Sequence, residues 1–422
     1  MASSLGDCFI NESIFVYCMG KLVVLGDVFD SSQIIRDGCV VIDEDSGLIE
    51  SVGRRSEVDF PESARTVKGA MVLPGLIDAH VHFFGTREYS LMSWVSVPET
   101  LAALRSVRDL RSLLYSGFTT VRDMGSKGGA HLARAVREGV IQGPHVLSCA
   151  KSLGQTGGDD DPINLPLDVA ERLSYSYFCD GPWGCRRAVR LVLRDGADFV
   201  KVYCATGSTP EPKAGSGPMI RPQFTVEELR AIVDEAHRSG LKVAAHTIGS
   251  ESLQNAVDAG VDSLEHGMGL TEELAAEIKK KNIYYVPTLS IFTESQEFMK
   301  YVRNPELGDP VYVRQHFTKD MEIAKNHSLK IVCGSDFGGT SNAEHGKNYK
   351  EILNLSRFIG NIEALRAATV NAAECIGLER AGQIKEGFQA DMTVLSADPT
   401  INVENLSPAK IICVIKNGVI YP

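Results

Sequence analysis

Between residues 13 and 70, short apolar runs alternate with turn residues. The runs cover 14–17, 22–25, 39–42 and 49–52, a spacing that predicts the strands of a small β unit. The C-terminal end repeats the pattern at 392–395, 411–415 and 419–421, and Asn417-Gly418 supplies a hairpin turn between the last two. Two β-rich ends around a different middle predict one small β-sandwich domain built from residues 1–70 plus 383–422.

The middle, 71–382, alternates the two periods. Apolar strand runs fall at 71–82, 119–124, 145–150, 199–203, 242–247, 263–267, 284–289 and 330–336. Helical patterns fall at 100–116, 129–139, 183–196, 225–239, 250–259, 271–281, 309–328 and 361–376. The helix at 225–239 has Thr225 at its start, Glu227 and Glu228 in its first turn, and Gly240 as its stop. Eight strand–helix pairs predict an α/β fold, a (β/α)8 TIM-like barrel with loop insertions. A doubly wound open sheet is the other arrangement considered, but no Gly-rich dinucleotide turn follows the first strand. The stretches 151–182 and 204–224 are long for barrel connections and read as binding loops or lids.

Composition narrows the class. With 44% hydrophobic and 23% charged residues over 422 positions, the chain reads as a packed soluble protein. A net charge of -11 without a basic run argues against a nucleic-acid partner. No stretch approaches a membrane span, and the first 25 residues lack the pattern of a secretory leader. The ten cysteines are scattered without a CxxC, several of them inside apolar runs. They read as buried free thiols, which points to the reducing cytoplasm.

Barrel enzymes carry their chemistry at the C-terminal ends of the strands. Read in order, those ends hold His80 and His82, then Lys201, His246, His266 and Asp336. A strand sends residues two apart to one face, so His80 and His82 can grip one ion. Imidazole and carboxylate suit a borderline divalent metal such as zinc, and four histidines with one aspartate exceed a single tetrahedral site. Lys201 cannot ligate as an ammonium. It reads either as a buried lysine paired with a carboxylate or as a carbamate formed with CO2, whose oxygens can bridge two metals.

The segments 74–82 (PGLIDAHVH), 117–123 (GFTTVRD) and 382–391 (GQIKEGFQAD) resemble the amidohydrolase superfamily. Residues 180–182, 197–202, 205–207 and 345–348 are similar to its imidazolonepropionase-like dipeptidase and ochratoxinase branch, which has a carbamylated lysine and a dinuclear centre. The resemblance implies two divalent ions, Zn2+ by default. His80 and His82 would hold the first, His246 and His266 the second, and carbamylated Lys201 would bridge them, with Asp336 touching the first as ligand and catalytic base. It implies hydrolysis of an amide bond in a dipeptide, N-acyl amino acid or ochratoxin-like amide by a metal-bridged hydroxide. Asp336 would carry a proton to the leaving nitrogen. It also implies a homo-oligomer, with an octamer as one form.

Deaminases of the superfamily resemble a pattern with a glutamate three residues after the strand-five histidine, where this chain has Gly249. Dipeptidases of the branch have Thr-Gly-Gly-His-Gly where this chain has Thr156-Gly-Gly-Asp159-Asp160. Asp159 to Asp161 read either as a solvated acidic turn or as a selector of a cationic group. Ile248 stands where the branch often has a tyrosine or histidine. Arg122, Asp159, Tyr203, Ile248 and His345 are the candidate substrate-binding residues, and Asp78 is expected to orient backbone near the ligands. Alternatives on the same site are hydrolysis of a cyclic amide or imidazolone-like ring, a lactonase, and a non-catalytic metal-binding homologue.

Overall fold

The computed structural model describes residues 20–206, 220–294, 310–341 and 343–422. The run at 14–17, Cys8, Cys18 and most of the 204–224 loop lie outside the described residues.

Strands from both ends of the chain form one seven-stranded sheet. Its members are β1 (Lys21–Phe29), β2 (Ile34–Asp43), β3 (Leu48–Arg54), β4 (Arg65–Pro74), β14 (Met392–Leu395), β15 (Ile411–Lys416) and β16 (Val419–Tyr421). They lie in the order β16-β15-β14-β4-β1-β2-β3, so β4 and β14 join the two ends of the sequence. Asn417 (φ 50°) and Gly418 (φ 76°) make the expected tight turn between β15 and β16.

The apolar run 71–82, expected as one strand, is divided at Gly75. β4 ends at Pro74, and β5 (Leu76–Val81) opens a different sheet. Gly75 sits so close to Thr119 that a Cβ there would lie 2.1 Å from Oγ1. Parallel strands β5, β6 (Phe118–Asp123) and β7 (His145–Ser148) form a three-stranded sheet. A six-stranded parallel sheet holds β8 (Ser152–Gly154), β9 (Ser176–Phe178), β10 (Val200–Tyr203), β11 (Val243–Ile248), β12 (Ser263–Met268) and β13 (Tyr284–Val286), in the order β13-β12-β11-β10-β8-β9. The eighth expected strand, 330–336, is reduced to isolated parallel bridges at Ile331 with Tyr285 and at Phe337 with Val81. Asp336, at φ 58°, lies outside the extended region within this segment.

Helices follow the strands and bury one face each. Val226–Arg238 has the expected start: Thr225 accepts from Glu228 N while Glu228 accepts from Thr225 N. Its Leu229, Ile232, Val233 and Ala236 are buried at helical spacing in the main core. The pattern at 361–376 is two helices, Asn361–Ala367 and Val370–Ile376, separated at Thr369. The long 151–182 connection contains β8, β9 and the helix Leu167–Leu173, elements too short to leave a periodic signal. Among the described residues, no helix is long and apolar enough to cross a membrane.

Candidate metal centre and active site

The C-terminal ends of the parallel strands converge on one cleft. His80, His82, Lys201, Tyr203, His246, His266 and Asp336 all line it. His80 and His82 flank the end of β5, and Asp336 reaches the same point from the 331–337 segment. Oδ1 of Asp336 lies 3.2 Å from His80 Nε2 and 3.3 Å from His82 Nε2. The His266 ring centroid is 5.1 Å from that of His80 and 4.5 Å from that of His246. Lys201 Nζ sits 5.3 Å from the Tyr203 ring centre. Donor atoms of His80, His266 and Asp336 all fall within 4.8 Å of one another, as a metal site requires.

The far sides of the His80 and His82 imidazoles are already occupied. His82 Nδ1 is 2.8 Å from the carbonyl of Gly125, which can only accept, so Nδ1 carries the hydrogen. His80 Nδ1 is 2.9 Å from Glu265 Oε2. Burial opposes charge on Glu265, but Arg122, His80 and Lys201 together hold its carboxyl down to about 2, so it too accepts. In the neutral rings both Nε2 atoms therefore present lone pairs, and they face a carboxylate oxygen. Three electron-pair donors directed at one point repel unless a cation stands among them. The donor set fits a divalent metal.

Electrostatics point the same way. Burial opposes charge on Asp336, and its carboxyl is held well below the usual carboxylate range only by positive, proton-bearing imidazoles at His80, His82 and His266; with the rings neutral, a cation would have to supply that charge. Burial, followed by the charge of His246, holds His266 well below the ordinary imidazole value, which keeps it neutral and able to ligate. Burial also lowers the Lys201 amine, against the pull of Glu265 and Asp336. An unprotonated amine is the form that attacks CO2.

Backbone geometry serves the same ends. His266 (φ 66°) and Asp336 (φ 58°) both occupy the left-handed region, a local cost of about 1–3 kcal/mol each that clusters at functional sites. Asp78 accepts from His80 N (3.1 Å), Ser335 N (2.9 Å), Ser335 Oγ (2.6 Å) and Asn348 Nδ2 (2.7 Å), tying the end of β5 to the Asp336 segment. His266 Nδ1 is 2.7 Å from Thr288 Oγ1.

Four expected substrate residues do not line the cleft. Arg122 is buried beneath it, because Glu265 draws the guanidinium inward: Nη2 is 2.8 Å from Oε1. Ile248 packs in the core. His345 lies behind His82 and contacts its carbonyl through Nε2 at 2.9 Å. Asp159 and Asp160 are fully buried and Asp161 is buried beside them, so the acidic turn does not face solvent. Asp161 receives the Gly157 amide at 2.8 Å.

Glu265 and an aromatic wall were not anticipated. Phe84 stacks on His82 (4.7 Å, 12°) and on Trp94 (4.2 Å, 8°), with Tyr175 5.5 Å from Phe84. Phe84 follows the His-x-His pair by two residues, so strand alternation could have placed it on the same face. Trp94 stands in the short helix Leu91–Ser96, for which the sequence gives no periodic signal.

The amidohydrolase family model matches residues 71–421. Ochratoxinase from Aspergillus niger is 30% identical over 97% of this chain and 86% of its own length. Its crystal structure superposes with a TM-score of 0.84 at 26% identity, covering 95% of this chain and 96% of that one. A Xaa-Pro dipeptidase solved with methionine in its active site gives a TM-score of 0.82 at 28% identity, covering 95% and 100%. Imidazolonepropionase from Kosmotoga olearia is 23% identical over 97% of this chain and 96% of its own. The fold is of the TIM-barrel type that these neighbours share, and the chain belongs to the amidohydrolase family, as a hydrolase of amide bonds.

Proposed function

We propose that the chain is a dinuclear metal hydrolase that cleaves the amide of a dipeptide, an N-acyl amino acid or an ochratoxin-like compound. The observation that carries this reading is the convergence of the His80 and His82 Nε2 atoms on one oxygen of Asp336. His80, His82 and Asp336 would hold one ion, His246 and His266 the other, with Lys201 between them as a carbamate; Zn2+ suits the donors. Such ions supply ionised water near neutral pH and polarise a carbonyl.

Asp336 takes the proton of the attacking water and returns it to the leaving nitrogen. Without that proton an amine leaves poorly. Tyr203 borders the cleft beside Lys201 and contacts the substrate. The aromatic wall of Phe84 and Trp94 offers stacking area to a flat group next to the amide.

The same reading includes a closed (β/α)8 barrel at 71–382 and a β-sandwich from 1–70 plus 383–422. Hydrogen bonds from Ala79 N to Cys333 O and from His82 N to Phe337 O support closure between the first and last strands. The shared sheet of both termini supports the second domain. A cytoplasmic site agrees with eight free, buried cysteines among the described residues. A homo-oligomer agrees with Trp183, 81% exposed on the helix Gly181–Arg194.

A panel of N-acyl amino acids, dipeptides, an ochratoxin and cyclic amides or lactones, assayed with zinc-loaded protein, tests the function. The expected result is cleavage of linear amides with kcat/KM at least tenfold above the ring substrates. Preference for an imidazolone-like ring or a lactone would overturn the linear-amide reading. No turnover of any member would favour the non-catalytic homologue.

A further inference from the structure

We infer that Glu265 and Arg122 are a positioning pair that fixes the tautomer of His80. The inference rests on the metal-centre reading above and extends it to two residues that would touch neither metal nor substrate.

The pair is built from one geometric exception. In an extended strand, consecutive side chains leave on opposite faces, so Glu265 and His266 should not meet the same group. The φ of 66° at His266 breaks that alternation at the end of β12. As a result, Glu265 Oε2 lies 2.9 Å from His80 Nδ1 while the His266 ring stands 5.1 Å from the His80 ring. One strand end thus supplies both a neighbour for the ligand cluster and the support behind its first member.

The other carboxylate oxygen is fully committed. Glu265 Oε1 receives Arg122 Nη2 at 2.8 Å and Ser263 Oγ at 2.6 Å. Arg122 also gives its Nε to the Ala79 carbonyl at 2.7 Å, on the residue that precedes His80. Arg122 therefore grips the main chain of β5 and the carboxylate that holds the β5 histidine. Its guanidinium lies 5.3 Å from the Phe199 ring centre, and both Arg122 and Glu265 are sealed from solvent. In such a place Glu265 needs a cation, since an uncompensated buried charge is costly.

The two β5 histidines thus differ. His82 is held by a neutral carbonyl, whereas His80 is held by an anion, which fixes the ring and raises the donor strength of Nε2. Exchanging Glu265 for glutamine sharpens the distinction. Arg122 and Ser263 would retain the single amide oxygen, and the amide nitrogen would face His80. Nδ1 would then have to accept, and the hydrogen would move to Nε2, the atom directed at Asp336.

The test uses the full chain in two states. In metal-free protein, long-range nitrogen–proton NMR of the His80 ring should report the Nδ1–H tautomer in wild type and the Nε2–H tautomer in Glu265→Gln. Zinc affinity, read by chelator competition, should fall about 10- to 100-fold in Glu265→Gln. If that variant does not fold, Glu265→Leu with Arg122→Met removes both charges together and leaves neither orphaned. A merely structural pair predicts unchanged zinc affinity there, whereas a positioning pair predicts the same 10- to 100-fold loss. A folded Glu265→Gln protein that keeps the Nδ1–H tautomer and binds zinc within threefold of wild type would overturn the inference. Wild-type protein that binds no zinc would instead count against the metal-centre reading, and the tautomer measurement would still decide the pair.

Discussion

Oδ1 of Asp336 lies 3.2 Å from Nε2 of His80, although 256 residues separate them in sequence. Asp78 maintains that approach by accepting the backbone amides of His80 and Ser335 with one oxygen. Replacing Asp336 by asparagine retains its shape but removes the base. Its kcat on a linear amide should fall by about 10²- to 10⁴-fold, the range for loss of a positioned general acid–base group. Steady-state kinetics at fixed zinc saturation checks this.

Lys201 makes a second prediction. If it bridges as a carbamate, Lys201→Ala should bind about one zinc per chain instead of two and lose most activity. Acetate or propionate at millimolar concentration should restore part of both by supplying the missing carboxylate oxygens. Metal analysis and rate measured with and without the added acid read the effect. Full activity without the added acid would leave Lys201 as a buried structural lysine.

The aromatic wall gives a specificity prediction. Trp94 stacks on Phe84, which stacks on His82, so its removal changes the cleft without touching the proposed ligands. Trp94→Ala should raise KM for an aromatic amide by about 2- to 12-fold, the worth of one aromatic pair of about 0.5–1.5 kcal/mol. KM for the acetyl analogue should change less. Equal effects on both substrates would mean that the wall shapes the fold and not the choice of substrate.

A fourth prediction concerns stability. Glu351 is fully buried, and burial pushes its carboxyl up to about 8, although it accepts Leu289 N (3.0 Å) and Ser290 N (2.7 Å). In the unfolded chain a glutamate ionises near about 4.3. Between those values the unfolded state has released a proton that the folded state keeps, so stability falls as pH rises, by at most about 1.4 kcal/mol per pH unit. The loss is absent below the unfolded value and complete above the folded one. Glu351→Gln should remove this slope. Denaturation of both proteins between pH 5 and 8 should show the wild type losing ground to the variant as pH rises.

The candidate ligands were legible in the sequence because strand ends can be counted. His80, His82, His246, His266 and Asp336 stand at or near the ends of apolar runs and Lys201 stands inside one, and all six line one cleft. The helix at 225–239 and the Asn417-Gly418 turn were legible for the same reason, a periodic run or a local stop signal; of the strand expected at 284–289 only Tyr284–Val286 forms, and Leu289 already opens a helix. Three features were not. The division of 71–82 at Gly75 depends on Thr119, a contact between strands that no local pattern encodes. Glu265 is not legible because alternation assigns it away from His266, and the positive φ that overrides alternation leaves no mark on composition. Arg122 reads as a substrate ligand because it stands next to the end of β6; its partner Glu265 lies 143 residues away.

The central claim, a two-metal amide hydrolase, is tested most directly by titrating zinc into chelator-stripped protein in bicarbonate buffer while following cleavage of a linear N-acyl amino acid. Activity should be below about 1% in stripped protein and rise to its maximum at two zinc per chain, as a two-metal site requires. Undiminished activity in protein that contains less than about a tenth of an equivalent of metal would contradict the role assigned to His80, His82, Lys201, His246, His266 and Asp336 under the two-metal scheme.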